Sequence, residues 1–174
     1  AAVKLHGSRP ALRLLPKHEG VDPLSYTYAQ VGDLAARGAA VLRQMGAGAG
    51  ERVMVMSENR PEWGISYFAI VLAGAAAVPI DSQLAIGEVA NLARASRARA
   101  IVLSRKVAER LAGEAGLAIP VGSSEDDEDD ISIVWSPAHP ALAQHFGIQG
   151  LAYDELLATP DAPAAEPPVK GDSF

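Results

Sequence analysis

Four apolar residues in a row, Val53-Met54-Val55-Met56, open the stretch that most constrains this chain. A short unbroken apolar run suits a strand covered on both faces, as in a parallel sheet; a half-exposed strand would alternate. Ser57-Glu58-Asn59-Arg60-Pro61-Glu62-Trp63 follows and reads as a turn into a helix. Asn59 is placed to cap that helix by accepting from an amide of its first turn. Glu62 is placed to bond back to the cap's own N–H. Pro61 fits a first turn, whose amides lack partners in any case. The helix expected over 62–73 is apolar nearly all round, so burial on every side is the expectation. Residues 77–80 form the next strand.

The rest of the chain repeats that rhythm. Residues 10–15 and 25–28 are short strand candidates, paired as a hairpin across 16–23. Thr27 with Gln30 three residues later makes a capping box. The helix after it sets Val31, Leu34, Ala35, Val41, Leu42 and Met45 on one stripe, with Asp33, Arg37 and Arg43 elsewhere. A helix over 87–96 turns Val89, Leu92 and Ala93 inward, and 99–103 is a strand. Ser104 caps a further helix to about 111. Strands starting near 52, 77 and 99, each followed by a helix, are the pattern of right-handed crossover units. The expected fold class is therefore α/β, a parallel sheet with helices on both faces and a short N-terminal hairpin.

Beyond 113 the pattern thins. Residues 118–121 and 131–135 read as strands, and 138–146 and 153–157 as short helices. Glu125-Asp126-Asp127-Glu128-Asp129-Asp130 lies in 123–130, a solvated acidic loop, because six adjacent acids cannot be buried together. It lacks the alternating ligands and glycine of a calcium loop. Four prolines in 159–168 mark an extended connector. The expected division is one α/β domain over 1–158, that connector, and the start of a truncated next element at 169–174.

Charge narrows the functions available. The net charge of −6 comes from the acidic run; without it fifteen basic residues face fifteen acidic ones. No basic face for nucleic acid is expected. With no cysteine, disulfides, thiolate chemistry and cysteine zinc sites are excluded. That suits the cytoplasm. The start, Ala-Ala-Val-Lys-Leu-His, has no apolar core segment of a signal peptide. Residues 63–80 carry no charge and approach the shortest membrane span. Pro79, Gly74, Ser66 and the alanines between argue against one, so no transmembrane segment is expected.

Candidate chemistry is sparse. Gly46-Ala47-Gly48-Ala49-Gly50 resembles a nucleotide loop only in composition. A phosphate loop needs a strand before its glycines and a helix after, and here the order is reversed. His6, His18, His139 and His145 have no metal-site spacing. Glu58 and Glu62 flank the turn and could form an acid/base pair, but capping accounts for one of them. Trp63, Tyr67 and Phe68 could line an apolar pocket; core packing is the plainer reading. From the residues, no catalytic, cofactor-binding or metal-binding residue is assigned.

Asn59-Arg60-Pro61-Glu62-Trp63, Ala73-Gly74 and Val78-Pro79-Ile80-Asp81 resemble the N-terminal part of adenylate-forming (AMP-binding) enzymes. The resemblance is nearest to the long-chain fatty-acid–CoA ligases, or acyl-CoA synthetases. Tyr26-Thr27-Tyr28-Ala29-Gln30-Val31 is similar to that family's usual Leu-Thr-Tyr-x-Glu-Leu. Glu88-Val89, Ser96 and Val102-Leu103-Ser104 also fall into place. The likeness is strong over 10–104 and looser to 174. It implies the N-terminal subdomain of the acyl-CoA synthetase-like fold, with Asn59, Pro61, Glu62, Trp63, Gly74, Pro79 and Asp81 as a structural signature.

The resemblance implies a parent enzyme that uses ATP, magnesium and coenzyme A. It would make an acyl-adenylate from a fatty acid and then the thioester. The family's phosphate loop and C-terminal lysine have no counterpart here, and Gly171-Asp172-Ser173-Phe174 is similar to the lead-in to that loop. The chain is thus expected to be a scaffold fragment, inactive alone, binding none of those cofactors. Its expected partner is the remainder of its own polypeptide, with self-association into a homodimer through an uncovered face allowed. The parent is expected in the cytoplasm or at a membrane periphery. Two alternatives stand: a non-catalytic α/β interaction or regulatory domain, and a fragment of an amino-acid-activating adenylation domain.

Overall fold

In the computed structural model the described residues are 2–15, 23–117 and 140–150. Twelve elements follow one another: α1 (Ala2–His6), β1 (Pro10–Leu14), β2 (Leu24–Thr27), α2 (Tyr28–Gln44), β3 (Arg52–Met56), α3 (Pro61–Ala73), β4 (Ala76–Pro79), α4 (Ile86–Ser96), β5 (Ala100–Leu103), α5 (Arg105–Glu114), α6 (Pro140–Phe146) and β6 (Gln149–Gly150). The expected segments 118–121, 123–130, 131–135, 153–157, 159–168 and 169–174 lie outside the described residues, as do His18 and His139.

β1 and β2 form the expected antiparallel hairpin. The main sheet runs β4-β3-β5-β6 with every neighbour parallel. β3 is the central strand, and its alternation feeds two cores. Val53 and Val55, with Ala100 and Val102 of β5, join Leu42, Ala69 and Ile70 from α2 and α3. Met54 and Met56, with Ile101 and Leu103, join Val89, Ala93, Val107, Leu111 and Phe146 from α4, α5 and α6. Helices thus cover both faces of the sheet, as the apolar run requires. Each fully buried Val, Leu or Ile contributes roughly 1.5–3 kcal/mol relative to exposure.

Two caps form as expected. At α2, Gln30 N–H donates to Thr27 Oγ1 (3.2 Å) and Thr27 N–H donates to Gln30 Oε1 (2.8 Å). At α5, Val107 N–H donates to Ser104 Oγ at 3.3 Å; this helix runs to Glu114, a turn beyond the expected end.

Four expectations are corrected. Asn59 is exposed and is not the cap of α3. The cap position is Arg60, extended at φ −153°, ψ 159°, with no side-chain bond to the helix amides. The cause is Pro61, which forces the residue before it out of helical geometry and so takes the first helical position. Glu62 is then the second helical residue, one short of the place a capping box needs.

Nor is α3 buried all round. Its inner face, Ile65, Ala69, Ile70 and Ala73, is in the core, but Phe68 and Val71 are about half exposed (48% and 51%). A helix lying on one sheet face buries one side, and no described element covers the other. In α4, Val89, Ala90 and Ala93 turn inward while Leu92 is exposed. In α2, Val31, Ala35, Ala39 and Leu42 form the buried stripe, and Leu34, Val41 and Met45 sit half-buried on its flanks. Neither α1 nor β6 was anticipated; a five-residue helix and a two-residue strand carry too few residues for a period to show.

Gly74 ends α3 in the left-handed region at φ 87°, and its N–H donates back to Ile70 and Val71 carbonyls. A Cβ there would meet Ala49 Cα at 3.4 Å. Gly74→Ala should cost about 1–2 kcal/mol, from left-handed strain alone. A urea midpoint unchanged from the parent chain would contradict this.

Candidate functional site

Open parallel sheets bind ligands outside the carboxyl ends of their strands. Here that edge comprises the turns after β3, β4 and β5. The turn after β3 holds a buried polar cluster. Glu62 is 1% exposed, yet its carboxylate is fully engaged. Arg60 Nε donates to Oε2 at 2.8 Å, and Tyr26 OH, from β2, donates to Oε1 at 2.8 Å. The carboxylate also sits at the positive end of α3, where a negative charge is favoured. The group therefore fastens the hairpin to the central crossover.

Glu58 is half-buried, and its Oε2 has no hydrogen-bond partner among the described residues. Because Glu62 is committed to Arg60 and Tyr26, the two carboxyls do not form an acid/base pair. Asp81 Oδ1 accepts from Gln83 N–H at 2.9 Å, closing a local turn after β4. Pro79 is exposed at the end of β4. Arg110 holds that loop from α5, donating to the Ser82 and Leu84 carbonyls at 2.9 Å each. Glu114 pairs with Arg110 and accepts from Ile86 N–H at 2.8 Å.

The structural signature is thus brought together only in part. Pro61, Glu62 and Trp63 share the first turn of α3, Asn59 stands just outside it, and Pro79 and Asp81 lie past β4. Gly74 is at the opposite end of α3. Trp63 is half-buried and stacks on Tyr67 (ring centroids 5.7 Å apart, planes 12° apart), with Phe68 edge-on to Tyr67 at 6.1 Å. Trp63 packs against the α2–α3 core from its margin, while Tyr67 and Phe68 reach solvent. Tyr67 and Phe68 thus make an outer face of α3. His6 lies beside Tyr28 (5.9 Å) and His145 is exposed on α6. Among the described residues no three His, Cys, Asp or Glu side chains could hold a metal ion. No helix of the described residues is long and apolar enough to cross a membrane.

The sequence reading missed Tyr26 as a partner of Glu62, and the Arg110–Glu114 clamp. The i, i+4 spacing of Arg110 and Glu114 was the available signal for the second. Nothing local links position 26 to position 62.

Residues 1–169 match the family of AMP-binding enzymes, and the chain belongs to that family. Its curated relatives include 4-coumarate–CoA ligase 3 of Oryza sativa subsp. japonica, 36% identical over 60% of this chain and 18% of the relative. A nonribosomal peptide synthetase of Aspergillus terreus is 33% identical over 67% of this chain and 10% of its own length. A long-chain-fatty-acid–CoA ligase of Mycobacterium tuberculosis is 32% identical over 58% and 20%. Among solved structures, the anthranilate CoA ligase AuaEII with bound anthranoyl-AMP superposes at a TM-score of 0.56 and 26% identity, over 66% of this chain and 21% of that one. The fold is that of the N-terminal region of these ligases. The chain spans a fifth or less of the length of the curated relatives named here.

Removing the buried carboxylate in Glu62→Leu should cost roughly 3–5 kcal/mol, as when one partner of a buried pair is deleted. Tyr26→Phe should cost roughly 1.5–3 kcal/mol, the range for a hydrogen bond to a charged group. Changes of only a few tenths in urea unfolding would show that the cluster is not structural.

The Glu114 carboxyl is held below its ordinary value, chiefly by the Ile86 N–H it accepts; burial opposes this, and the hydrogen bond and charge of Arg110 add to it. A depressed carboxyl adds stability above its unfolded-state value and loses it as pH falls through its folded-state value. Stability curves of the parent chain and Glu114→Gln should therefore separate near neutrality and converge in acid. A constant separation across pH would refute the clamp's ionic character.

Proposed function

We propose that this chain is the N-terminal scaffold of an acid–CoA ligase. The whole polypeptide would attack the α-phosphate of ATP with a substrate carboxylate, releasing pyrophosphate and leaving an acyl-adenylate. The coenzyme A thiol would then displace AMP to give the thioester. The observation that carries this reading is the family match across 1–169, with CoA ligases among the relatives. The described residues contribute packing and loop anchorage. ATP, magnesium and coenzyme A belong to the reaction proposed for the whole polypeptide, and no step is routed through this chain.

As substrate we propose a long-chain fatty acid, on the strength of Asn59-Arg60-Pro61-Glu62-Trp63 and the mycobacterial relative. A second reading, an aromatic or amino acid, is favoured by the identity to the rice 4-coumarate–CoA ligase and the fungal peptide synthetase. The division into a domain over 1–158, a connector over 159–168 and a following element is part of the proposal. So are a cytoplasmic or membrane-peripheral setting and the role of the outer face of α3. That face, with Tyr67, Phe68, Val71 and Leu72, would seat the remainder of the polypeptide or a second copy.

The test compares the complete polypeptide with the 174-residue chain alone. Each is given ATP, magnesium and either palmitate, 4-coumarate or mixed amino acids, and acyl-adenylate is read by mass. We expect palmitoyl-adenylate from the complete polypeptide and none from the chain alone. Preference for 4-coumarate or an amino acid would establish the second reading. Silence with every acid would make the chain a non-catalytic interaction domain. Turnover by the chain alone would overturn its scaffold role.

A further inference from the structure

The opposite edge of the sheet carries a feature that the ligase reading leaves unused. Where β3 and β5 begin, a cleft of about 450 Å³ opens between the end of α4 and the end of α6. Arg94, Arg97, Arg99 and His145 line it, with Glu51 as the one acid. In sequence the cations are Arg94-Ala95-Ser96-Arg97-Ala98-Arg99, three in six residues with no acid between, in a chain otherwise balanced in charge once its acidic run is set aside.

The three arginines differ in what they do. Arg94 is held in place, donating to the Ala90 carbonyl (3.3 Å) and to Asn91 Oδ1 (2.6 Å). Arg97 and Arg99 are exposed, and neither guanidinium has an ion pair or hydrogen bond among the described residues. Such clustering of like charges is unfavourable until an anion joins it. Arg97 adds a second anomaly. It ends α4 at φ 53°, and it is the only non-glycine described residue with positive φ. Glycine is the usual residue at such a helix end, because a Cβ is strained there. Arg97 packs into no core, so packing does not explain why a strained arginine stands there. Strain of this kind collects at ligand sites.

We propose that this cleft binds a small molecule bearing a phosphate or diphosphate group. A planar guanidinium fork can pair with two oxygens of such a group, which a single-point cation cannot; that of Arg99 lies beside Gly46, so Arg97 is the fork nearest to hand. Backbone amides at the rim are already spent: Arg97 N–H on Arg94, Ala98 N–H on Ala93, Arg99 N–H on Arg52. Recognition therefore rests on side chains. Ala98, Phe146 and Ile148, also in the lining, offer an apolar wall to the rest of the molecule. The site lies away from the carboxyl edge and does not depend on the ligase reading.

The test titrates the 174-residue chain with inorganic pyrophosphate by calorimetry, at low salt and at about 0.15 M salt, where screening acts within about 8 Å. We expect one saturable site that weakens as salt rises. Arg97→Gln with Arg99→Gln should lower affinity about tenfold or more, the loss expected for one or more charged hydrogen bonds, whereas Lys106→Gln should leave it unchanged. Arg97→Gly is the sharper variant: it should raise the melting temperature by relieving the left-handed strain and still weaken pyrophosphate. No saturable heat, or equal affinity in the parent chain and the Arg97/Arg99 variant, would overturn the proposal. Loss of affinity in Lys106→Gln as strong as in that variant would overturn it too, as diffuse attraction.

Discussion

Everything in this domain hangs on β3 being covered twice. Val53 and Val55 face α2 and α3, and Met54 and Met56 face α4, α5 and α6. Its two edges are also taken, by β4 on one side and β5 on the other. A strand so placed has no polar alternative for any of its four buried side chains. It therefore sets the position of both flanking strands and, through their crossovers, of every helix that packs on them.

That dependence explains why the carboxyl edge is rich in anchors and poor in reactive groups. The turn after β3 must hold its crossover helix and also the hairpin, and one buried carboxylate serves both through Arg60 and Tyr26. The loop after β4 is held from α5 by Arg110 and Glu114. Such groups are spent on backbone and on one another. They fasten that edge and leave few side chains on it uncommitted.

Much of this was legible because it is written in short-range patterns. The unbroken run at 53–56, the caps at Thr27 and Ser104, and the strand spacing each need only a few neighbouring residues. The errors arose where a distant partner or a neighbouring proline decided the outcome. Asn59 has the chemistry of a cap, but Pro61 moved the helix start past it. Glu62 looked like half of a capping box, and its true partner on β2 lies 36 residues away. The composition of α3 pointed to burial on all sides. Composition reports what a helix would like to bury, and it cannot report whether a second neighbour is there to bury it.

The same asymmetry bears on the two edges of the sheet. At the carboxyl edge Arg60 pairs with Glu62 and Arg110 with Glu114, although Glu58 Oε2 is left without a partner among the described residues. At the amino edge Arg97 and Arg99 have none there either, although Glu51 is within the same cleft. A chain selected only for packing would be expected to place glycine where Arg97 stands, since the helix ends there in either case and glycine would end it without strain. A long, charged side chain at a left-handed position beside two further cations is not accounted for by the fold. It becomes intelligible once the missing partner is taken to be an anion from outside the chain.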